Sequence, residues 1–257
     1  MSSENTNTFT KENLNTILNE LAKQYRKLCG KAVKAEIILV GGAAVLANYD
    51  FRDMTTDVDA LIQATSSMKD AINMVGDKYG LPNGWLNADF TRTASYSMKL
   101  WQFSQYYRTF SNVLQVRTVS AEYLVAMKLM SGRQYKHDLS DVIGILVEYQ
   151  EKGVPLTMAD IEKAVTDLYD SWEKLPATSQ SFIRSAMEHP DLRQVYERIN
   201  RSEQEAKNIL VSFEERYPGV TTQENVDDIL SAERAKAASK ASLLDELKAK
   251  RKTERER

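Results

Sequence analysis

Apolar residues recur at helical spacing from Lys11 to Leu28, where Leu14, Ile17, Leu18, Leu21 and Tyr25 share one face, and Gly30 supplies a stop. Glu36 to Val40 then reads as a short buried strand, Gly41 and Gly42 as a turn, and Ala43 to Tyr49 as a helix. TTDVDALI, residues 55 to 62, has the partly β-branched character of a second strand. Ser66 to Tyr79 is expected to be helical and LPNGWLN to be a loop, with Tyr96 to Phe103 and Leu114 to Val119 as two further strands.

The pattern changes at Ser120. SAEYLVAMKLMSG reads as a helix, and the basic loop RQYKH follows it. DLSDVIGILVEYQEKG has a helical period, with an aspartate cap at its start and Gly153 as its stop. TMADIEKAVTDLYDSW opens on a capping-box pattern, Thr157 to Asp160, and Ser179 to about Tyr217 supplies two more helices. From about Asn225 the chain is rich in Ala, Lys, Arg and Glu, as in a solvated helix that frays. There is no internal repeat. The expected fold class is α/β (α+β): a small mixed sheet flanked by helices, followed by an all-helical C-terminal region. Residues 1–119 would form the sheet domain, 120–224 a helical domain, and 225–257 a charged tail.

Composition narrows the function classes. The 257 residues are 42% hydrophobic and 27% charged, as in an ordinary folded protein. A net charge of −2 argues against nonspecific coating of nucleic acid while leaving room for a local basic patch. Cys29 is the only cysteine, so no internal disulfide can form, which suits a reducing cytosol. MSSENTNTFT lacks the apolar core of a secretory signal, and IILVGGAAVLA is too short to cross a bilayer. A soluble cytoplasmic protein, with no membrane partner, is expected.

Candidate chemistry begins with the aspartates inside TTDVDALI. On a strand, Asp57 and Asp59 project to the same side, and two adjacent carboxylates need compensation. A divalent cation, a basic partner or water at a strand end could supply it. Just upstream, the order strand, Gly41-Gly42, helix lets backbone come close to an anion, although paired glycines also serve plain tight turns. Lys128 lies in the apolar stretch LVAMKLM, where it either faces phosphate, snorkels, or pairs with a nearby aspartate. Arg133, Lys136 and His137 lie in the basic loop, and a solvated loop accounts for them equally well. Asp138 and Asp141 share one side of a helix start, which the helix dipole alone would explain. Without a Cys/His cluster or a Ser–His pairing at a nucleophile elbow, a zinc site and an acyl-transfer hydrolase are disfavoured.

LVGGAAVLANYDFRDMTTDVDALI resembles the signature of the nucleotidyltransferase superfamily that includes DNA polymerase beta, and more narrowly of bacterial relatives of AbiEii-type toxins. Thr55, Asp57 and Asp59 fit that group's Thr-x-Asp-x-Asp strand, and AMKLMSGRQYKHDLSD fits its downstream block. GLPNGWLN resembles a segment from an uncharacterised branch of the same group. The resemblance implies transfer of a nucleoside monophosphate from an NTP. It implies Gly41 and Gly42 at the triphosphate, Asp57 and Asp59 at Mg²⁺ or Mn²⁺, and Lys128 facing the nucleotide. Asp138 or Asp141 would be an additional acidic group, since YSMKLWQF and LQVRTV carry none. Thr55, Thr56, Arg133 and Lys136 are further nucleotide-contact candidates, and Arg52 receives no role. Implied acceptors are a tRNA end, a protein hydroxyl or a small molecule, in a toxin or phage-defence setting with a cognate antitoxin as possible partner. The alternatives are a binding module of the same fold without turnover, or a partner-binding protein working through its helical half.

Overall fold

The computed structural model describes residues 8–133, 135–222 and 224–239. The first helix, α1 (Lys11–Cys29), starts where Thr10 and Asn13 form a capping box and stops where Gly30 adopts φ +83°. Its apolar face is buried, with Leu14, Ile17, Leu18, Leu21 and Tyr25 all at or below 3% exposure.

Strand β1 (Ala35–Leu39) leads directly into α2 (Gly41–Asn48), followed by β2 (Val58–Gln63) and α3 (Ser67–Tyr79). A two-residue strand, β3 (Leu86–Asn87), is followed by β4 (Ser104–Phe110) and β5 (Leu114–Val119). These strands form one sheet in the order β3-β2-β1-β5-β4. β1 runs antiparallel to β2 and parallel to β5, so the central strand is flanked on both sides and, apart from Glu36, is apolar. α1 packs on α3. The helical part continues as α4 (Ala121–Ser131), α5 (Asp138–Glu151), α6 (Met158–Tyr169), α7 (Ala177–Glu188) and α8 (Leu192–Arg216), with α4 packed on both α5 and α6.

Several expectations need correcting. α2 begins at Gly41 rather than Ala43: Gly41 makes the turn at φ +55°, and the Val40 N–H pairs back to the Asp59 carbonyl at 3.0 Å. β2 begins at Val58, whose N–H donates to the Trp85 carbonyl, whereas Thr55 pairs separately with Phe9. Asp57 therefore precedes the strand and only Asp59 lies on it. LPNGWLN is not wholly loop, because it contains β3. The alternation in Tyr96–Phe103 predicts a strand, yet the chain makes a 3-10 turn at Met98–Trp101, seeded where the Ser97 side chain accepts the Lys99 N–H. The first residue of α5 is Asp138 itself. Its side chain does not cap the helix, since the N-cap position is His137. Thr157 and Asp160 do form the expected capping box.

The described residues divide into two compact units, 8–133 with 137–198, and 135–136 with 199–222 and 224–239. The second has a small core of Ala206, Val226 and Leu230, joined by Tyr135, Ile209 and Leu210. Its second helix covers residues 226–239, where Glu233 pairs with Arg216 at 2.7 Å. The tail expected from 225 onward is thus helical as far as 239, and 240–257 lie outside the described residues. Among the described residues no helix is long and apolar enough to cross a membrane.

Candidate active site

The end of β1 and the start of α2 form a tight corner. A Cβ on Gly41 would sit 3.5 Å from Asp59 Oδ2, so the carboxylate rests directly over the glycine backbone. A Cβ on Gly42 would come within 2.5 Å of Thr55 Oγ1 and 3.1 Å of Arg52 Nη2. Any side chain there would push both groups away. Thr55 is buried, and its hydroxyl donates to the Asp57 carbonyl at 3.3 Å and lies 3.4 Å from Asp57 Oδ1. Asp57 and Thr56 are exposed, and Asp59 is partly so. Asp57, just before the strand, and Asp59, on it, thus flank buried Val58 and reach solvent.

Arg52 closes the corner. Its Nε donates to the Met54 carbonyl at 3.0 Å, and its Nη1 donates to both oxygens of Asp141 at 2.6 Å. Among the described residues no acceptor is paired with Nη2, the atom that faces Gly42. An N–H donor aimed at the start of a helix is a suitable counterpart for a bound phosphate oxygen.

Behind Arg52 lies a buried ion network carried by α4 and α5. Lys128 Nζ stands 2.9 Å from Asp138 Oδ1 and 2.8 Å from Asp141 Oδ2. Arg133 Nε donates to Asp138 Oδ2 at 2.8 Å, and the Arg133 backbone N–H lies 3.3 Å from the same oxygen. Burial favours a neutral lysine, but Asp138 and Asp141 outweigh it and hold Lys128 above its ordinary value. Burial likewise raises Asp138, but Lys128 and Arg133 overcome it and leave the carboxyl well below the usual range. Arg52, Lys128 and Arg133 are thus the cations that face the Asp138 and Asp141 carboxylates.

Of the residues singled out by sequence, Gly41, Gly42, Thr55, Asp57 and Asp59 meet at this corner, and Thr56 stands exposed within its loop. Asp141 joins them through Arg52, and Asp138, Lys128 and Arg133 join through Asp141. Lys128 is in the ion-pair arrangement that its apolar surroundings allowed as one alternative. Lys136 belongs to the second compact unit, where it is exposed. Arg52 is the residue that sequence reasoning missed. Its one signal is an arginine three positions before Thr55 in a loop next to the paired glycines.

Residues 16–173 match a family model described as nucleotidyltransferase of unknown function (DUF6036). The chain belongs to this family. Neither curated proteins nor solved structures yield a match to it. As a member of a nucleotidyltransferase family it is a nucleotide-binding protein of the nucleoside-monophosphate transfer class, and the matched span contains every residue of the corner and of the ion network.

The donor set bears on a metal. Among the described residues, no group of three or more His, Cys, Asp or Glu side chains is arranged to hold an ion. The exposed Asp57 and partly exposed Asp59 carboxylates by the Gly41–Gly42 corner instead fit Mg²⁺, which takes one or two carboxylates and completes its shell with water and substrate phosphate.

Proposed function

We propose that the protein is a metal-dependent nucleotidyltransferase that moves a nucleoside monophosphate from an NTP to a hydroxyl acceptor and releases pyrophosphate. One observation carries this reading: the Asp59 carboxylate, the Thr55 hydroxyl and Arg52 Nη2 all face the Gly41–Gly42 corner. The backbone at Gly41 and Gly42 and the Arg52 guanidinium hold the β- and γ-phosphates. Asp57 and Asp59 hold Mg²⁺ or Mn²⁺, which when bound offsets charge on the transferring phosphate and lowers the pKa of a nearby hydroxyl. The acceptor oxygen attacks the α-phosphorus as the bond to the bridging oxygen breaks. Pyrophosphate leaves with that electron pair, and the acceptor proton passes to Asp57 or Asp59. Lys128, Arg133 and Asp138 fix Asp141, and Asp141 aims Arg52. Lys128 therefore acts on the nucleotide through Arg52 in this reading.

The resemblance to the polymerase-beta superfamily and to AbiEii-type toxins supports a tRNA end, a protein hydroxyl or a small molecule as acceptor, and a growth-arresting role with a cognate antitoxin. A second reading, a nucleotide-binding module without turnover, is favoured by the lack of a third acidic ligand among the described residues. The two separate in one experiment. Purified protein is incubated with Mg²⁺, bulk RNA or cell lysate, and NTPs labelled at either the α- or the γ-phosphate. Transfer of α-label alone to a macromolecule or small product supports the enzyme. Nucleotide binding without transfer supports the inert module, and the absence of both overturns the reading.

A further inference from the structure

α5 presents Asp141, Gly144 and Glu148 on one face, at i, i+3 and i+7. Loop residues 50–52 run along that face in the opposite direction. Asp141 takes Arg52 at 2.6 Å, and Glu148 Oε2 accepts the Asp50 backbone N–H at 3.1 Å. Between these two polar ties, the Phe51 ring occupies the space over Gly144. A Cβ at Gly144 would lie 2.5 to 2.7 Å from three ring carbons, far inside the ordinary carbon–carbon contact of about 3.5 Å. The ring is held from its other sides as well. Tyr49 stacks on it at a centroid distance of 5.7 Å, and Tyr196 meets it edge-on at 5.8 Å.

The glycine is costly where it stands. In the middle of a helix it is less favourable than alanine by about 1 kcal/mol. Its φ is not positive, so the backbone does not demand it. The Phe51 ring does. Since Phe51 immediately precedes Arg52, the depth of the ring on α5 sets where the guanidinium stands against Gly42.

We infer that Gly144 is a positioning residue: its bare Cα seats the Phe51 ring, which sets the register of the loop and places Arg52 at the triphosphate corner. This rests on the proposed reading of Gly41, Gly42 and Arg52 as phosphate-binding groups. A methyl group at 144 would drive the ring outward by about 1 Å, a displacement that costs up to about 100-fold where geometry is strict.

The test is a double-variant cycle read by NTP affinity in the presence of Mg²⁺, with thermal unfolding measured alongside. Gly144→Ala in the otherwise natural chain should weaken NTP binding by about tenfold or more at temperatures where the protein stays folded. In a Phe51→Leu background, with the ring gone, the same substitution should change affinity by less than about twofold. A wild-type-like affinity in Gly144→Ala, even with a lowered unfolding temperature, would overturn the inference. So would an equal loss in both backgrounds. Failure of the wild-type chain to bind any NTP would overturn the reading of the corner and this inference with it. Tight wild-type binding with an insensitive cycle would overturn this inference alone.

Discussion

The Lys128 ammonium stands 2.8 Å from an Asp141 carboxylate that also receives Arg52 Nη1 at 2.6 Å. Asp141 therefore has two cations of different character, one sealed in the interior between α4 and α5 and one leading out to the corner at Gly42. This shared carboxylate connects the helical layer to the sheet. It allows a buried ion pair, which need not stabilise a fold relative to apolar residues, to serve as a fixed support for a partly buried guanidinium.

Removing the buried cation should be expensive. Lys128→Met would leave Asp138 and Asp141 with only their arginine partners in a site where Asp138 is fully buried. The expected loss is about 3 kcal/mol of folding stability, measured by urea unfolding. A change under about 0.5 kcal/mol, the range of ordinary surface substitutions, would show that the network is not energetically coupled to the fold.

The network also sets a pH profile. Asp138 titrates below its ordinary 3.8 in the native state, so its contribution is complete above that value and is lost as pH falls through the native one. Lys128 titrates above its ordinary 10.5, so its contribution is complete below that value and is lost as pH rises through the native one. Stability from this network should hold level across the neutral range and fall at both extremes. Unfolding free energies measured from about pH 2.5 to 6 should give a shallower acid limb in Asp138→Asn than in the wild type. An identical acid limb would assign the acid loss to other groups.

Much of this arrangement was legible where the signal is local. α1 announces itself by its period, α6 by its capping box and β5 by its alternation of apolar and polar residues, because each depends on residues a few positions apart. The strand predicted at Tyr96–Phe103 failed because its alternation is not burial: Met98 is 79% exposed. The true strand, β4, lies at the sheet edge with only its end residues buried, so it carries no alternation to read. Gly41, Gly42, Asp57 and Asp59 were legible as a motif. Arg52 was not, because what gives it meaning is Asp141, 89 residues away.

Gly42 offers a separate handle on the corner. A methyl group there would fall 2.5 Å from Thr55 Oγ1 and displace Arg52 as well. Gly42→Ala should therefore weaken NTP binding by about tenfold, with a smaller effect on folding than Lys128→Met, by calorimetric titration beside urea unfolding. Unchanged NTP affinity would mean that phosphate binds elsewhere.

The most direct test of the central claim is transfer of α-labelled nucleotide by Asp57→Ala and Asp59→Ala variants with wild-type circular dichroism and unfolding temperature. Transfer by the wild type with Mg²⁺, and its loss by about a thousandfold or more in both variants, is the expected result. Transfer that persists in both folded variants at the wild-type rate would contradict the assignment of this corner as the active site.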